Sequence, residues 1–212
     1  MKVELRNGVY RVRVRMDYSN LLVASDRVEA ISAALATIAY HKAQLRAYIN
    51  RNPLFRYSLE PLEAEEWAPQ IVKLTCEAAA RVGVGPMAAV PGALAELALK
   101  SMREAGSKVA VVEDGGEIAA YSSKPLTVAV YAGSSPLSGR VGLIFSPDEL
   151  PVGIATSSAT VSPAVNFGDA DAAVVIADSP TLADAAAKAV CNAVTGRGWA
   201  AIEAGLKVAR SI

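Results

Sequence analysis

Between Val9 and Met16 apolar residues alternate with basic or polar ones in the run Val9-Tyr10-Arg11-Val12-Arg13-Val14-Arg15-Met16. A period of two belongs to a strand with one face buried and the other in water, so the arginines are read as a solvated face. Asn7-Gly8 is a two-residue hairpin signal, which pairs Val3 to Leu5 back onto this strand. Asn20 to Ala24 supplies the next one. From Asp26 the period changes: Val28, Ile31, Leu35, Ile38, Ala39, Leu45 and Ile49 form a helical stripe, with Asp26 as its expected cap and Pro53 as its stop.

Two further helices fit Pro69 to Arg81, ended by Gly83, and Ala93 to Glu104, ended by Gly106. Strand-like segments follow at Lys108 to Val112, Leu126 to Tyr131, Val141 to Phe145, Gly153 to Thr156 and Ala172 to Ile176, divided by Gly, Pro, Asp and Ser clusters. Ser179-Pro180 opens a helix, with Ser as cap and Pro in the first turn, and Gly196 separates it from a short final one. The expected architecture is α+β, helices packed on a mixed or antiparallel sheet. No fixed-period repeat or linker-like tract divides residues 1–212, so one domain is expected.

The 21 basic and 21 acidic residues cancel, which leaves no global field to draw the chain onto nucleic acid or an anionic membrane. Cys76 and Cys191 have no thiol or histidine at metal-ligand spacing and read as small buried hydrophobes. The N-terminal Met1-Lys2-Val3-Glu4-Leu5-Arg6 carries no apolar core of a signal peptide, and the uncharged stretch Val82 to Ala95 falls short of the ~20 residues of a spanning helix. A cytoplasmic location is expected. An apolar content of 52% with balanced charge leads to an expected homo-oligomer.

Four places offer chemistry. Asp114-Gly115-Gly116-Glu117 lies between two strands. It reads either as a tight turn needing positive φ, or as a loop bringing N–H groups close to a phosphate or carbonyl with carboxylates beside it. Gly83-Val84-Gly85-Pro86-Met87 is either a plain helix connection or a ligand-facing loop ahead of a helix N-terminus. Thr156-Ser157-Ser158-Ala159-Thr160 is either turn chemistry or a set of hydroxyls around a nucleotide. The single histidine, His41, sits inside the first helix, so a serine-hydrolase triad is unsupported. Asp184 and Lys188 share a helix face four residues apart, either as an exposed ion pair or as site residues.

The segment Leu182-Ala183-Asp184-Ala185-Ala186-Ala187-Lys188-Ala189 resembles the Ala-Asp-Ala-x-x-Thr-Ala helix of ApbE-like flavin transferases. Val112 to Ala119 resembles their Gly-Gly-acidic loop, and Ile154-Ala155-Thr156-Ser157-Ser158 their Ala-Thr-Ser segment, in the same order. Asn52-Pro53-Leu54-Phe55, Ser58-Leu59-Glu60-Pro61, Val84-Gly85-Pro86-Met87-Ala88-Ala89-Val90 and Asn166-Phe167-Gly168-Asp169-Ala170-Asp171-Ala172 are similar to a short, uncharacterised prokaryotic branch of that superfamily, over about residues 10–195.

The resemblance implies metal-assisted transfer of the FMN part of FAD onto a protein hydroxyl. By position it makes Asp184 the metal ligand, with Asp184 and Lys188 as catalytic candidates. Gly85, Pro86, Met87, Gly115, Gly116, Glu117, Thr156, Ser157 and Ser158 become candidates for ligand binding. Two departures stand out: Lys188 replaces a metal-binding threonine, and a charged lysine cannot coordinate, while Pro91-Gly92 replaces a Lys-Gly pair. A Mg²⁺ site is therefore in question. The expected function is a nucleotide- or flavin-binding protein with transfer chemistry of the phosphoryl or flavin-nucleotide kind. The alternative that the branch implies is an accessory or binding protein without transferase activity, in anaerobic sulfur and homocysteine metabolism.

Overall fold

Asn7 and Gly8 both take positive φ, 52° and 74°, as a two-residue type I′ turn requires. The turn joins β1 (Val3–Arg6) to β2 (Val9–Met16), with Arg6 opposite Val9. A computed structural model describes residues 2–162 and 164–212 of the protein; Met1, which opens the N-terminal segment read above, and Pro163 lie outside it. Along β2 the alternation is realised, with Val12 buried and Arg11, Arg13 and Arg15 exposed. A second turn at Asp17-Tyr18 leads into β3 (Ser19–Ser25), which pairs antiparallel with β2.

Helix α1 (Val28–Arg51) buries Ala30, Ile31, Ala34, Ile38, Leu45 and Tyr48. Its expected cap is not used: Arg27 occupies the capping position without a side-chain bond. Asp26 turns away to accept the backbone N–H of Lys108 and of Val109, each at 3.0 Å, and the Ser107 hydroxyl at 2.8 Å. A carboxylate meeting three donors across the sheet outcompetes the single bond of a local cap. The same donors outweigh its burial, so the Asp26 pKa is lowered.

The short α2 (Leu54–Tyr57) follows Pro53, and α3 (Gln70–Val82) stops at Gly83, whose φ of 75° is the left-handed cap expected of glycine. A 3₁₀ turn over Pro86–Ala89 runs straight into α4 (Val90–Glu104), which starts three residues earlier than the periodicity implies because Pro91 fits the first helical turn. Among the described residues no single helix is long and apolar enough to cross a membrane. Helix α3 and the run from Pro86 to Glu104 have the composition only together, and they meet at 107°.

Strands β4 (Val109–Asp114), β5 (Glu117–Ser122), β8 (Val152–Ser157) and β9 (Ala173–Ala177) complete a seven-stranded sheet in the order β1-β2-β3-β4-β5-β8-β9, with every neighbouring pair antiparallel. Strands β6 (Leu126–Ala129) and β7 (Gly142–Phe145) were expected from their pattern, but they form a separate two-stranded hairpin. Helices α1 and α4 pack on each other, and α4 lies against β4 and β5, around a core that includes Val23, Ile38, Leu94, Met102 and Val112. Burial of each such side chain contributes about 1.5–3 kcal/mol.

Helix α5 (Pro180–Ala193) lies on β8 and β9 through Ala183 and Ala187, which face Ala155, and α6 (Trp199–Arg210) packs against α5. The approach is close. A Cβ on Gly153 would lie 2.4 Å from Pro180 backbone atoms, so glycine in β8 and alanine in α5 set the distance between helix and sheet. The fold is α+β.

Candidate functional site

The β4–β5 hairpin closes through Gly115 and Gly116, both at positive φ, with Asp114 opposite Glu117. This is the tight turn its sequence allows, and its flanking carboxylates face a cleft of about 430 Å³. Thr156, Ser157 and Ser158 reach the same cleft from the end of β8, and Asp184 and Lys188 reach it from α5. Met87 lines it from the 3₁₀ turn, whereas Gly85 and Pro86 do not. Pro86 is buried, and a Cβ on Gly85 would lie 1.9 Å from the Ser58 carbonyl oxygen, so Gly85 lets the 58–59 backbone pack close and neither residue faces the cleft. The β6–β7 hairpin covers one side with Val128, Ala129 and Leu143.

Asp184 is 8% exposed, and its Oδ2 accepts the Gly92 N–H at 2.8 Å. Gly92 is required there, since a Cβ would lie 2.7 Å from the Asp184 Cβ and 2.5 Å from the Pro180 carbonyl oxygen. Glu96, one turn along α4, accepts the Thr181 N–H at 3.1 Å and the hydroxyls of Ser179 and Thr181 at 2.7 Å each, binding the first turn of α5 to α4. Lys188 does not pair directly with Asp184. Its Nζ donates to the Val165 carbonyl at 3.0 Å and to Asn166 Oδ1 at 2.8 Å, so the exposed ion pair suggested by the spacing is replaced by an anchor for the loop after β8.

That loop is tied down at several points. Ser157 Oγ also donates to Asn166 Oδ1, Asn166 Nδ2 donates to the Ser158 carbonyl, and the Phe167 N–H reaches Asn192 of α5. Ser158 Oγ accepts the Thr160 and Val161 N–H groups, the turn chemistry expected of a serine at this point. Thr156 keeps a hydroxyl with no protein partner among the described residues, facing the cleft.

The electrostatics follow from burial. Removal from water pushes the Asp184 pKa up to about 7, against the Gly92 bond and the charge of Lys188, which favour its ionised form. Burial, then the nearby charges of Asp184 and Asp114, hold Glu117 well above the usual carboxylate range. Burial also raises Asp114, which is 5% exposed and accepts the Ser19 hydroxyl at 2.7 Å; Ser19 in turn accepts Lys42 Nζ at 2.9 Å. Burial lowers the Lys188 pKa, while its neighbours Cys191, Asp184 and Glu117 pull it back up.

A family model described as AbpE bacteria matches residues 3–206. The chain belongs to this family. Among its relatives, a UPF0280 protein of Methanosarcina acetivorans is 42% identical over 190 residues, covering 90% of this chain and 74% of that protein. A UPF0280 protein of Methanococcus vannielii is 36% identical over 206 residues, covering 96% and 83%. In fold the chain is similar to the apo form of flavinyl transferase ApbE from Pseudomonas stutzeri, with a TM-score of 0.58 at 17% identity over 98% of this chain and 87% of that one. It is also similar to flavin transferase ApbE from Vibrio cholerae, with a TM-score of 0.53 at 14% identity over 98% and 91%.

For this member of the AbpE bacteria family, a divalent metal is a poor fit to the donors present. Among the described residues no three of Asp, Glu, His and Cys are arranged to hold an ion. One Asp184 oxygen is engaged by Gly92, and a cationic side chain follows one turn later. His41 is buried in α1, edge-on to Tyr40, with Nδ1 unpaired, and takes no part in the cleft. Cys76 and Cys191 are both buried free thiols. Glu117, Asp184 and Asp114 line the cleft as carboxyl groups whose pKa values burial raises.

The sequence pattern does not point to Tyr18, to Glu96 or to the contribution of Lys42 and Ser19 to Asp114, whereas Pro91, one of the departures in the sequence, does line the cleft. Tyr18 stands in the β2–β3 turn, 97% exposed, at the rim of the cleft. Its signal was an aromatic residue in an otherwise polar turn. Glu96 carried no local signal, because its partners lie more than eighty residues away.

Proposed function

We propose that the cleft binds a flavin or another nucleotide, and that the protein performs transfer chemistry at a phosphoryl centre of that ligand. The observation carrying this reading is the convergence of the Gly115-Gly116 turn, the free Thr156 hydroxyl and the Asp184/Lys188 face of α5 in one cleft, on a fold similar to that of flavinyl transferase ApbE. A volume of about 430 Å³ suits a mononucleotide or part of a dinucleotide.

Raised carboxyl pKa values serve this ligand better than three full negative charges would. A protonated Glu117 or Asp184 donates a hydrogen bond to a phosphate oxygen, and the third proton of Lys188 supplies a cationic donor. In a transfer reaction on FAD, an acceptor hydroxyl oxygen bonds to the phosphorus of the FMN half. Its proton passes to a deprotonated Glu117 or Asp184, and the P–O bond to the AMP half breaks, with AMP leaving as the anion. A carboxylate with a pKa near 7 is matched to that proton transfer.

The second reading is a binding protein that retains the ligand and performs no transfer. It is favoured by Lys188, whose Nζ is committed to Val165 and Asn166, and by the absence of a metal-holding donor group among the described residues. Native mass spectrometry of the purified protein, with an absorbance spectrum of whatever is released on denaturation, tests the ligand class. Incubation with FAD and an assay for AMP separates the two readings. Bound flavin with AMP formation supports transfer, and bound flavin without AMP supports the second. No affinity for FAD, FMN or AMP overturns both.

A further inference from the structure

Beside the cleft, and sharing Tyr18, Met87, Pro91 and Asp114 with it, lies a second cavity of about 600 Å³. Leu45 and Ile49 of α1 and Leu94 of α4 form an apolar wall. The charged lining differs in sign from that of the cleft. Lys42, Arg46 and Arg56 face this cavity together with Asp17 and Asp114, an excess of one cation, whereas the cleft holds Glu113, Asp114, Glu117 and Asp184 against Lys188.

The three cations are not equivalent. Lys42 is committed to the Met16 carbonyl at 2.6 Å and to Ser19 Oγ at 2.9 Å, and Arg46 to Asp17 Oδ2 at 2.9 Å. Arg56 rests 5.7 Å from the centroid of the Tyr57 ring and, among the described residues, has no carboxylate within 4.0 Å. A guanidinium without an ion-pair partner at the rim of an apolar cavity offers a bidentate site for one carboxylate.

We propose that this second cavity binds an organic monocarboxylate with an apolar or aromatic body, the body against Leu45, Ile49 and Leu94 and the carboxylate on Arg56. One negative charge brings the lining to neutrality. A polyphosphate would overcharge it and meet Asp17 and Asp114 as well. The shared wall places the other end of the occupant at the cleft, so two different ligands lie end to end past Tyr18 and Met87. This assignment does not depend on the nucleotide reading of the cleft.

The probes are 3-phenylpropionate and its neutral analogue 3-phenylpropanamide, titrated into the ¹⁵N-labelled protein and followed by backbone amide shifts, with and without saturating FAD. The acid is expected to bind about tenfold tighter than the amide, the advantage of one charge-assisted pair. Shifts are expected around Tyr18 and Ile49. Arg56→Gln, at an exposed position, is expected to reduce the acid to the affinity of the amide while the amide is unaffected. Equal affinities in the native protein, a preference that survives Arg56→Gln, shifts confined to another face, or no shift from the acid would each overturn the proposal. Displacement of the acid by FAD would overturn it too, since the cavity would then belong to the nucleotide ligand.

Discussion

The backbone N–H of Gly92, in the first turn of α4, donates to Oδ2 of Asp184 in α5 at 2.8 Å, and no Cβ fits between the two residues. One glycine thus sets both the helix spacing and the orientation of the cleft carboxylate.

Gly92→Ala is expected to lower stability by about 1–3 kcal/mol, because its Cβ meets backbone and a Cβ, neither of which can move aside as a flexible side-chain end would. Thermal denaturation measures the loss. The variant is also expected to weaken nucleotide binding more than Ala105→Gly, a control at the far end of α4. Equal weakening in both would disconnect Gly92 from the site.

Glu96→Gln keeps the shape of the side chain and removes its charge. The Thr181 N–H and two hydroxyls then share a neutral acceptor, and a loss of about 1 kcal/mol is expected in urea denaturation. Glu96→Ala leaves these donors without it and is expected to cost more.

Asp184 has a pKa raised to about 7 in the fold, against an ordinary 3.8 when unfolded. Between these values the unfolded chain releases the proton while the folded protein keeps it, so the Asp184 contribution to stability falls as pH rises from about 4 to about 7 and then levels off. Asp184→Asn, whose amide oxygen still accepts the Gly92 N–H, is expected to flatten that slope and to be the more stable protein at pH 8. Denaturant curves from pH 4 to 8 make the comparison. An equal slope in both proteins would place the titration elsewhere.

Mg²⁺ and EDTA are expected to leave the melting temperature of the native protein unchanged, with or without FAD, because a ligand stabilises only through preferential binding to the fold. Lys188→Thr removes a positive charge and places an oxygen one turn from Asp184, so Mg²⁺-dependent stabilisation is expected to appear there, on a lower baseline from loss of the bonds to Val165 and Asn166. Stabilisation of the native protein by Mg²⁺, lost in Asp184→Ala, would support a metal-dependent transferase instead.

Local patterns in the sequence determined the elements. The alternation of β2, the Asn7-Gly8 and Gly115-Gly116 turns, the glycine stop of α3 and the Ser179-Pro180 start of α5 each depend on the φ range and side-chain period of a few neighbouring residues, and each is present. Order and spacing of the Gly-Gly, Thr-Ser and Asp184 motifs carried the resemblance to an ApbE-like branch, and the chain belongs to the AbpE bacteria family. Tertiary structure decided the rest. It sent Asp26 across the sheet to Lys108 and Val109 and Lys188 to the loop at Val165 and Asn166. It withdrew Gly85 and Pro86 from the cleft and set β6–β7 apart from the main sheet. For Asp26 and Lys188 the partners lie 22 to 83 residues away, and charge-assisted bonds to them outweigh a local preference worth about 1 kcal/mol, whereas Gly85 is fixed by the close approach of the Ser58 backbone.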